Sequence, residues 1–328
     1  MRCLCCGKEI KDPKLMDQGW HKKCIRSFFG TSMLPKLPIG REVLERIADE
    51  NVGRGFTVPG VQKKLSLHLS TVNENRLTIV NYPTGYILKP QSDEFEELPE
   101  AEQLVMLMAD ITGIKTVPHG LIRMTDTVSD KETYAYISKR IDRKIASKRG
   151  QETVRMYAME DFCQLNYRLT ADKYKGSYEQ CAKTIDRYSE RPALDKTELF
   201  LRLIFCFISG NSDMHLKNFS LIEQTPAGRN YVLSPAYDLL PVNLIMPEDK
   251  EQTALTMNGK KRNLHRGDFL KYAFSIGIER KVAENLIHQV CKQEKKYLEL
   301  VDESLLSAER KEEFRALIRS RIDAVEKK

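Results

Sequence analysis

The sequence predicts an α+β chain in two lobes, β-rich in front and helical behind, with a small Cys/His module at its N-terminus. Three observations carry that reading. Between residues 53 and 90 apolar and polar positions alternate with turn residues at short intervals. From about Arg143 onward apolar residues recur at helical spacing. Cys3, Cys5, Cys6 and Cys24 crowd the start, while Cys163, Cys181, Cys206 and Cys291 are scattered. The expected organisation is a Cys/His zinc-binding module at 1–30, a front lobe at 40–143 and a helical lobe at 144–328.

Each element follows from local pattern. Leu65, Leu67 and Leu69 alternate with Ser66 and His68, as in a half-buried strand. Asn73-Glu74-Asn75 marks a turn, Leu77–Val80 a second strand, and Pro83-Thr84-Gly85 a second turn. Tyr86–Lys89 forms a third strand, stopped by Pro90. Leu98, Ala101, Leu104, Val105, Met108 and Ile111 predict a helix over 98–112. Val117–Arg123 and Tyr134–Ser138 read as further strands. Beyond Arg143, helices are expected over 159–165, 178–188 and 197–208, the last apolar nearly all round and ended by Gly210. A hairpin, 219–222 and 231–233, interrupts the helices, which resume near Arg266.

Composition narrows the class. With 41% apolar and 30% charged residues the chain reads as an ordinary globular protein, and its 328 residues support a core without disulfides. The greasiest stretch, Leu199–Ile208, is broken by Arg202 and is too short to span a bilayer. Cys3, Cys6, Lys8, Lys11 and Lys14 leave no room for a signal-peptide core, so a cytoplasmic location without membrane contact is expected. Lys and Arg number 53 against 46 Asp and Glu. That excess suits a polyanionic ligand, but no basic block interleaved with aromatics appears, so nucleic-acid contact is expected only through a partner.

The segment richest in chemistry is Gly210–Phe219, a loop between a buried helix and a hairpin. Asp213 and Asn218 stand five residues apart, the offset of proton acceptor and metal ligand in phosphoryl-transfer loops, and Asp238 follows the hairpin as a second metal carboxylate. Read blandly, the same residues cap turns. His215 is expected to shape the turn rather than act as base, and Lys217 either steadies a phosphate or is simply solvated. Lys89 ends a strand from which it would reach phosphates, and Glu102, with Glu100 as competitor, sits beside an apolar helical stripe and would lean toward it. The glycines of Gly53–Lys64, with Thr57, Gly60, Gln62 and Lys64 as candidate phosphate contacts, would let backbone N–H groups approach a nucleotide held between the lobes. Cys3-x-x-Cys6 and His21-x-x-Cys24 supply four ligands in two knuckle pairs, the pattern of a closed structural Zn²⁺ site.

Together these segments resemble the HipA-type serine/threonine kinases, toxin halves of bacterial toxin–antitoxin pairs. Gly210–Ser220 resembles their catalytic loop and Thr57–Lys64 their phosphate loop. Tyr86–Pro90, Glu100–Glu102, Tyr136–Arg143, Glu160–Gln164 and Ser234–Asp238 match in the same order over roughly 53–260. The resemblance implies a bilobal protein-kinase-like fold, Mg·ATP as cofactor, Asp213 as base, Asn218 and Asp238 as Mg²⁺ ligands and Lys89 on the ATP phosphates. With only about 50 residues before the phosphate loop, the chain resembles the short, HipT-like form. It would then work with a HipS-like small antitoxin and a HipB-like DNA-binding protein, and act on a protein such as an aminoacyl-tRNA synthetase. The family's autophosphorylated serines correspond here to Thr57 and Pro59, leaving Thr57 as the candidate. The competing readings are a small-molecule phosphotransferase, and a non-catalytic zinc- or DNA-associated regulator with a kinase-like body.

Overall fold

The computed structural model describes residues 1–37, 64–70, 75–79, 84–92, 94–125, 132–148 and 151–326. They fall into two compact units, one of residues 1–103 with 117–156, the other of 104–116 with 157–328.

The first unit is built on a five-stranded antiparallel sheet of β1 (Leu65–Ser70), β2 (Arg76–Ile79), β3 (Tyr86–Pro90), β4 (His119–Thr125) and β5 (Glu132–Lys139), in the order β2-β1-β3-β5-β4. The alternation that predicts β1 is the burial pattern observed, with Leu65 and Leu67 buried and Ser66 exposed between them. In β3, Lys89 is directly opposite Tyr136 of β5. The helix Leu98–Thr112 is more enclosed than an amphipathic stripe requires: Ala101, Glu102, Gln103, Leu104, Val105 and Met106 are all buried in succession. A helix wrapped on all sides must satisfy its polar side chains internally.

The N-terminal residues do not stand apart from this sheet. The helix Lys22–Phe29 and Trp20 form an aromatic cluster in which Trp20, Phe28 and Phe29 meet one another and the two phenylalanines meet Tyr86 of β3. β4 is an edge strand, and its outward polar groups at Leu121 are both taken: the N–H donates to the Leu4 carbonyl and the carbonyl accepts from the Trp20 indole, each at 2.9 Å. The module thus covers an edge that would otherwise invite pairing. Gly120 makes the fit possible, because a Cβ there would stand 2.6 Å from the Trp20 ring.

Residues 143–156 depart from expectation. The helical pattern foreseen beyond Arg143 gives way to a hairpin, β6 (Arg143–Lys148) with β7 (Gln151–Met156), in which Ile145 faces Val154. Each strand carries a single β-branched apolar residue amid polar ones, too little for a helical stripe and enough for a cross-strand pair.

The second unit is mainly helical around a three-stranded sheet, β8 (Met159–Asp161), β9 (Ser220–Glu223) and β10 (Tyr231–Leu233). The helix foreseen over 159–165 starts only at Phe162, because Asp161 is extended and caps it, its carboxylate accepting from the Gln164 N–H in a capping box. The helix foreseen over 197–208 begins earlier, at Pro192, a residue suited to a first helical position. It ends as expected: Gly210 is left-handed at φ +70 and the Asn211 N–H returns to the Cys206 carbonyl at 2.8 Å. No helix of the described residues is long and apolar enough to cross a membrane.

Candidate functional site

The Gly210 turn delivers Asn211, Ser212 and Asp213 into a loop tied at almost every residue. The Asn211 side chain accepts from the Asp213 N–H, the Ser212 hydroxyl donates to Asp249, and the Met214 carbonyl accepts from the buried Tyr178 hydroxyl. The His215 N–H donates to the Asp213 carbonyl at 2.8 Å, and the Asn218 amide nitrogen donates to the same carbonyl at 2.8 Å. Because that nitrogen is spent on the backbone, Asn218 is left to offer its side-chain oxygen, the atom a hard cation would take. The Asp213 carboxylate is itself 44% exposed, with Oδ1 accepting from the Tyr174 hydroxyl at 2.7 Å. Burial, and then that carboxylate, push Tyr174 well above the usual phenol range, so it stays a donor.

Asp238 is carried to this loop by the residue before it. The Tyr237 hydroxyl donates to the Lys217 carbonyl at 3.0 Å and also meets Ser220, while the Ala236 N–H is fixed on the Lys115 carbonyl. Asp238 is left-handed, at φ +54, a conformation unusual outside glycine and sometimes found where function demands it. His215 feels both carboxylates. Burial holds its pKa below the usual histidine value, while Asp213 and, more weakly, Asp238 pull it up. Its ring lies edge-on to Tyr174, with Nε2 4.0 Å from Asp213 Oδ2. Lys217 is partly exposed, and its Nζ is 2.7 Å from Asp161.

In the first unit, Lys89 and Glu102 form an ion pair at 2.5 Å, with side chains 4% and 1% exposed. The Lys89 ammonium also lies 5.1 Å from the Tyr136 ring centre. Glu102 rather than Glu100 therefore meets the lysine. Glu100 instead has Oε2 buried without a hydrogen-bond partner, and burial raises its pKa to about 7. Thr57, Gly60 and Gln62 lie outside the described residues. Lys64 stands exposed just ahead of β1.

The four residues of the knuckle pairs converge. The ligand atoms of Cys3, Cys6, His21 and Cys24 all lie within 4.8 Å of one another. Cys6 Sγ and Cys24 Sγ are 3.4 and 3.9 Å from His21 Nδ1, near the separations about a single tetrahedral ion, ~3.5–3.8 Å. His21 Nε2 is 3.0 Å from the Glu9 carbonyl, an acceptor only, so the proton sits on Nε2 and Nδ1 keeps its lone pair. The Cys3 sulfur accepts from the His21 N–H. Hydrogen bonds from Cys24 and Cys6 hold the Cys3 thiol well below its usual range, while sharing among the sulfurs pushes Cys6 and Cys24 well above it. The donor set fits Zn²⁺.

Sequence reasoning missed Tyr174 and Tyr237 as contacts of the loop. Tyr237 at least lies beside a singled-out aspartate; Tyr174 carries no local signal.

The first unit thus holds a buried lysine–glutamate pair, and the second a loop carboxylate fixed by a tyrosine hydroxyl. Residues 56–297 match the HipA-like C-terminal domain, and the chain belongs to that family. It is 26% identical over 288 residues to a Haemophilus influenzae protein named "Putative kinase", covering 83% of this chain and 82% of that one. A Sinorhizobium fredii relative of similar name, Y4dM, is 33% identical over 63% of this chain, which spans only 50% of its length. Among solved structures, the fold is similar to that in the Shewanella oneidensis MR-1 toxin–antitoxin complex of HipA, HipB and operator DNA, with TM-score 0.66 and 17% identity over 84% of this chain and 70% of that one. It is also similar to the Helicobacter pylori proinflammatory kinase CtkA, with TM-score 0.52 and 15% identity over 80% and 93% of the two chains.

Proposed function

We propose that this protein is an ATP- and Mg²⁺-dependent serine/threonine protein kinase of the HipA type, in the short HipT-like form. The observation that carries the reading is the Asp213 loop: a half-exposed carboxylate with one oxygen fixed by Tyr174, beside an asparagine whose amide nitrogen is already committed. Asp213 Oδ2 is the oxygen left to orient a substrate hydroxyl and accept its proton. Asn218 and Asp238 would hold the metal, and Lys89, kept in place by Glu102, would bind nucleotide phosphates. Mg²⁺, when bound, neutralises charge on the phosphate oxygens. Lys217, through Asp161, would fix the loop rather than contact phosphate, and buried, neutral His215 would shape it.

Cys3, Cys6, His21 and Cys24 would hold a structural Zn²⁺. The neighbour solved with HipB and operator DNA supports a toxin role, with a HipS-like small antitoxin and a HipB-like DNA-binding protein as partners and DNA reached through them. A translation protein such as an aminoacyl-tRNA synthetase would be the target in the cytoplasm, and Thr57 a site of autophosphorylation.

The test is transfer from [γ-³²P]ATP to protein by the wild type and by Asp213→Asn. The variant should lose about a thousandfold or more in rate, within the span of a general base. Equal labelling by both would end this assignment.

A further inference from the structure

The four zinc-ligand candidates lead directly to the nucleotide lysine. Cys5, between ligands Cys3 and Cys6, accepts through its carbonyl a 2.9 Å hydrogen bond from the Gln103 side-chain nitrogen. Gln103 is 4% exposed and follows Glu102 on the helix Leu98–Thr112. Its side-chain oxygen lies 2.7 Å from His119 Nδ1, and the His119 ring stacks on Tyr136 at 6.4 Å with 15° between planes. Tyr136 is the ring facing the Lys89 ammonium. Two routes therefore join the knuckle to the Lys89–Glu102 pair: one along the helix from Gln103 to Glu102, the other across the sheet through His119 and Tyr136. All these residues belong to the first unit.

A buried glutamine bridging a turn to a strand is costly to leave half-paired. It needs the Cys5 carbonyl held still, and Cys5 lies in the turn between Cys3 and Lys8, flanked by two of the candidate ligands. The turn has its own hydrogen bonds, Cys3 N–H to Lys8 and Gly7 N–H to Cys3. A Zn²⁺ held by Cys3, Cys6, His21 and Cys24 would tie this turn to the start of the helix Lys22–Phe29 at one centre, because the four ligand atoms lie within 4.8 Å of one another.

We propose that Zn²⁺ bound by Cys3, Cys6, His21 and Cys24 positions the Lys89–Glu102 pair through Gln103, so that metal occupancy of the knuckle sets the competence of the nucleotide lysine. Gln103 is a positioning residue in this scheme, acting on the helix and not on substrate. The regulatory consequence rests on the kinase reading; the coupling of metal to Lys89 does not.

The experiment reads Lys89 itself. The full chain is loaded with zinc, its metal content measured, and its lysines acetylated with N-hydroxysuccinimidyl acetate while peptide masses follow Lys89. Lys196 of the second unit, paired with Asp186, serves as the internal control. Zinc-loaded wild type should carry one equivalent of metal and label slowly at Lys89, which is 3% exposed. Chelation should raise Lys89 labelling about fivefold to tenfold, the range set by losing one buried hydrogen bond, with Lys196 unchanged. Gln103→Met keeps all four ligands and should bind zinc normally, hold Trp20 emission constant and still label faster at Lys89. If chelation unfolds the first unit, Gln103→Met alone decides. No zinc bound, or unchanged Lys89 labelling in zinc-loaded Gln103→Met, overturns the proposal. ATP turnover measured in parallel separates the two readings: faster labelling in a wild type that never transfers phosphate would sink the kinase and leave the coupling. In an active protein, Gln103→Met should raise KM for ATP severalfold more than it lowers kcat.

Discussion

The Lys89–Glu102 pair and the Asp213 carboxylate are both candidates for the same chemistry, yet they are built in opposite ways. The pair is sealed, with both side chains almost wholly buried and packed against Tyr136. Asp213 is half in water and steered through one oxygen. A buried ion pair holds one geometry because breaking it strands a charge. A carboxylate proposed to receive a proton from an incoming hydroxyl needs an open side, so its precision would come from the loop beneath it. Stability and activity should therefore separate between the two places.

The largest effect expected is on folding. Glu102→Ala takes the carboxylate partner from a buried ammonium and should lower stability by about 3 kcal/mol, whereas Lys89→Met with Glu102→Leu should cost much less. Asp213→Asn should change stability by less than about 0.5 kcal/mol, as surface substitutions do. Denaturant unfolding of the four proteins checks this, and an equally unstable Asp213→Asn would erase the contrast.

A second expectation concerns the same helix. Glu100 has a folded pKa of about 7, raised first by burial and further by Glu97. The folded state thus holds its proton more tightly than the unfolded chain, whose glutamate titrates near ~4.3. Stability contributed by the protonated form is complete below that value and is lost as pH rises toward 7, with no further loss above. Glu100→Gln should accordingly stabilise the protein by on the order of 2 kcal/mol at pH 8 and by nothing at pH 4. Parallel stability–pH curves for the two proteins would disprove it.

The smallest effect belongs to Tyr174. Removing its hydroxyl with Tyr174→Phe frees Asp213 Oδ1 and should slow phosphoryl transfer by about tenfold, one hydrogen bond to a charged group, without moving the unfolding midpoint. An unchanged rate would show that the loop alone aims Asp213.

Much of this was legible from sequence, for physical reasons that also mark where reading stops. The alternation in Leu65–Leu69 and the stripe from Leu98 to Ile111 report one-sided burial, which spacing encodes directly. Residues 143–156 are charged and sparsely apolar and carry no strong period of their own, so the pairing of Ile145 with Val154 overrides a weak local preference. At the candidate site, the five-residue spacing of Asp213 and Asn218 carries little alone and gains weight only from the loop, the hairpin and Asp238 that accompany it. Tyr174, 39 residues from the carboxylate it holds, and Gln103, 98 residues from the carbonyl it meets, are joined only by folding. The approach of Glu102 rather than Glu100 to Lys89 was open in the sequence, since both border the stripe. The helix settles it by burying residue 102 almost completely and leaving 100 at its margin.

Whether Asp238 serves a metal–nucleotide complex is the most direct test of the proposed kinase chemistry. Calorimetric titration of ATP at increasing Mg²⁺ should show affinity climbing with the cation in the wild type. In Asp238→Asn that climb should flatten, with a loss of about tenfold or more at saturating Mg²⁺. The same Mg²⁺ dependence in both proteins would contradict it.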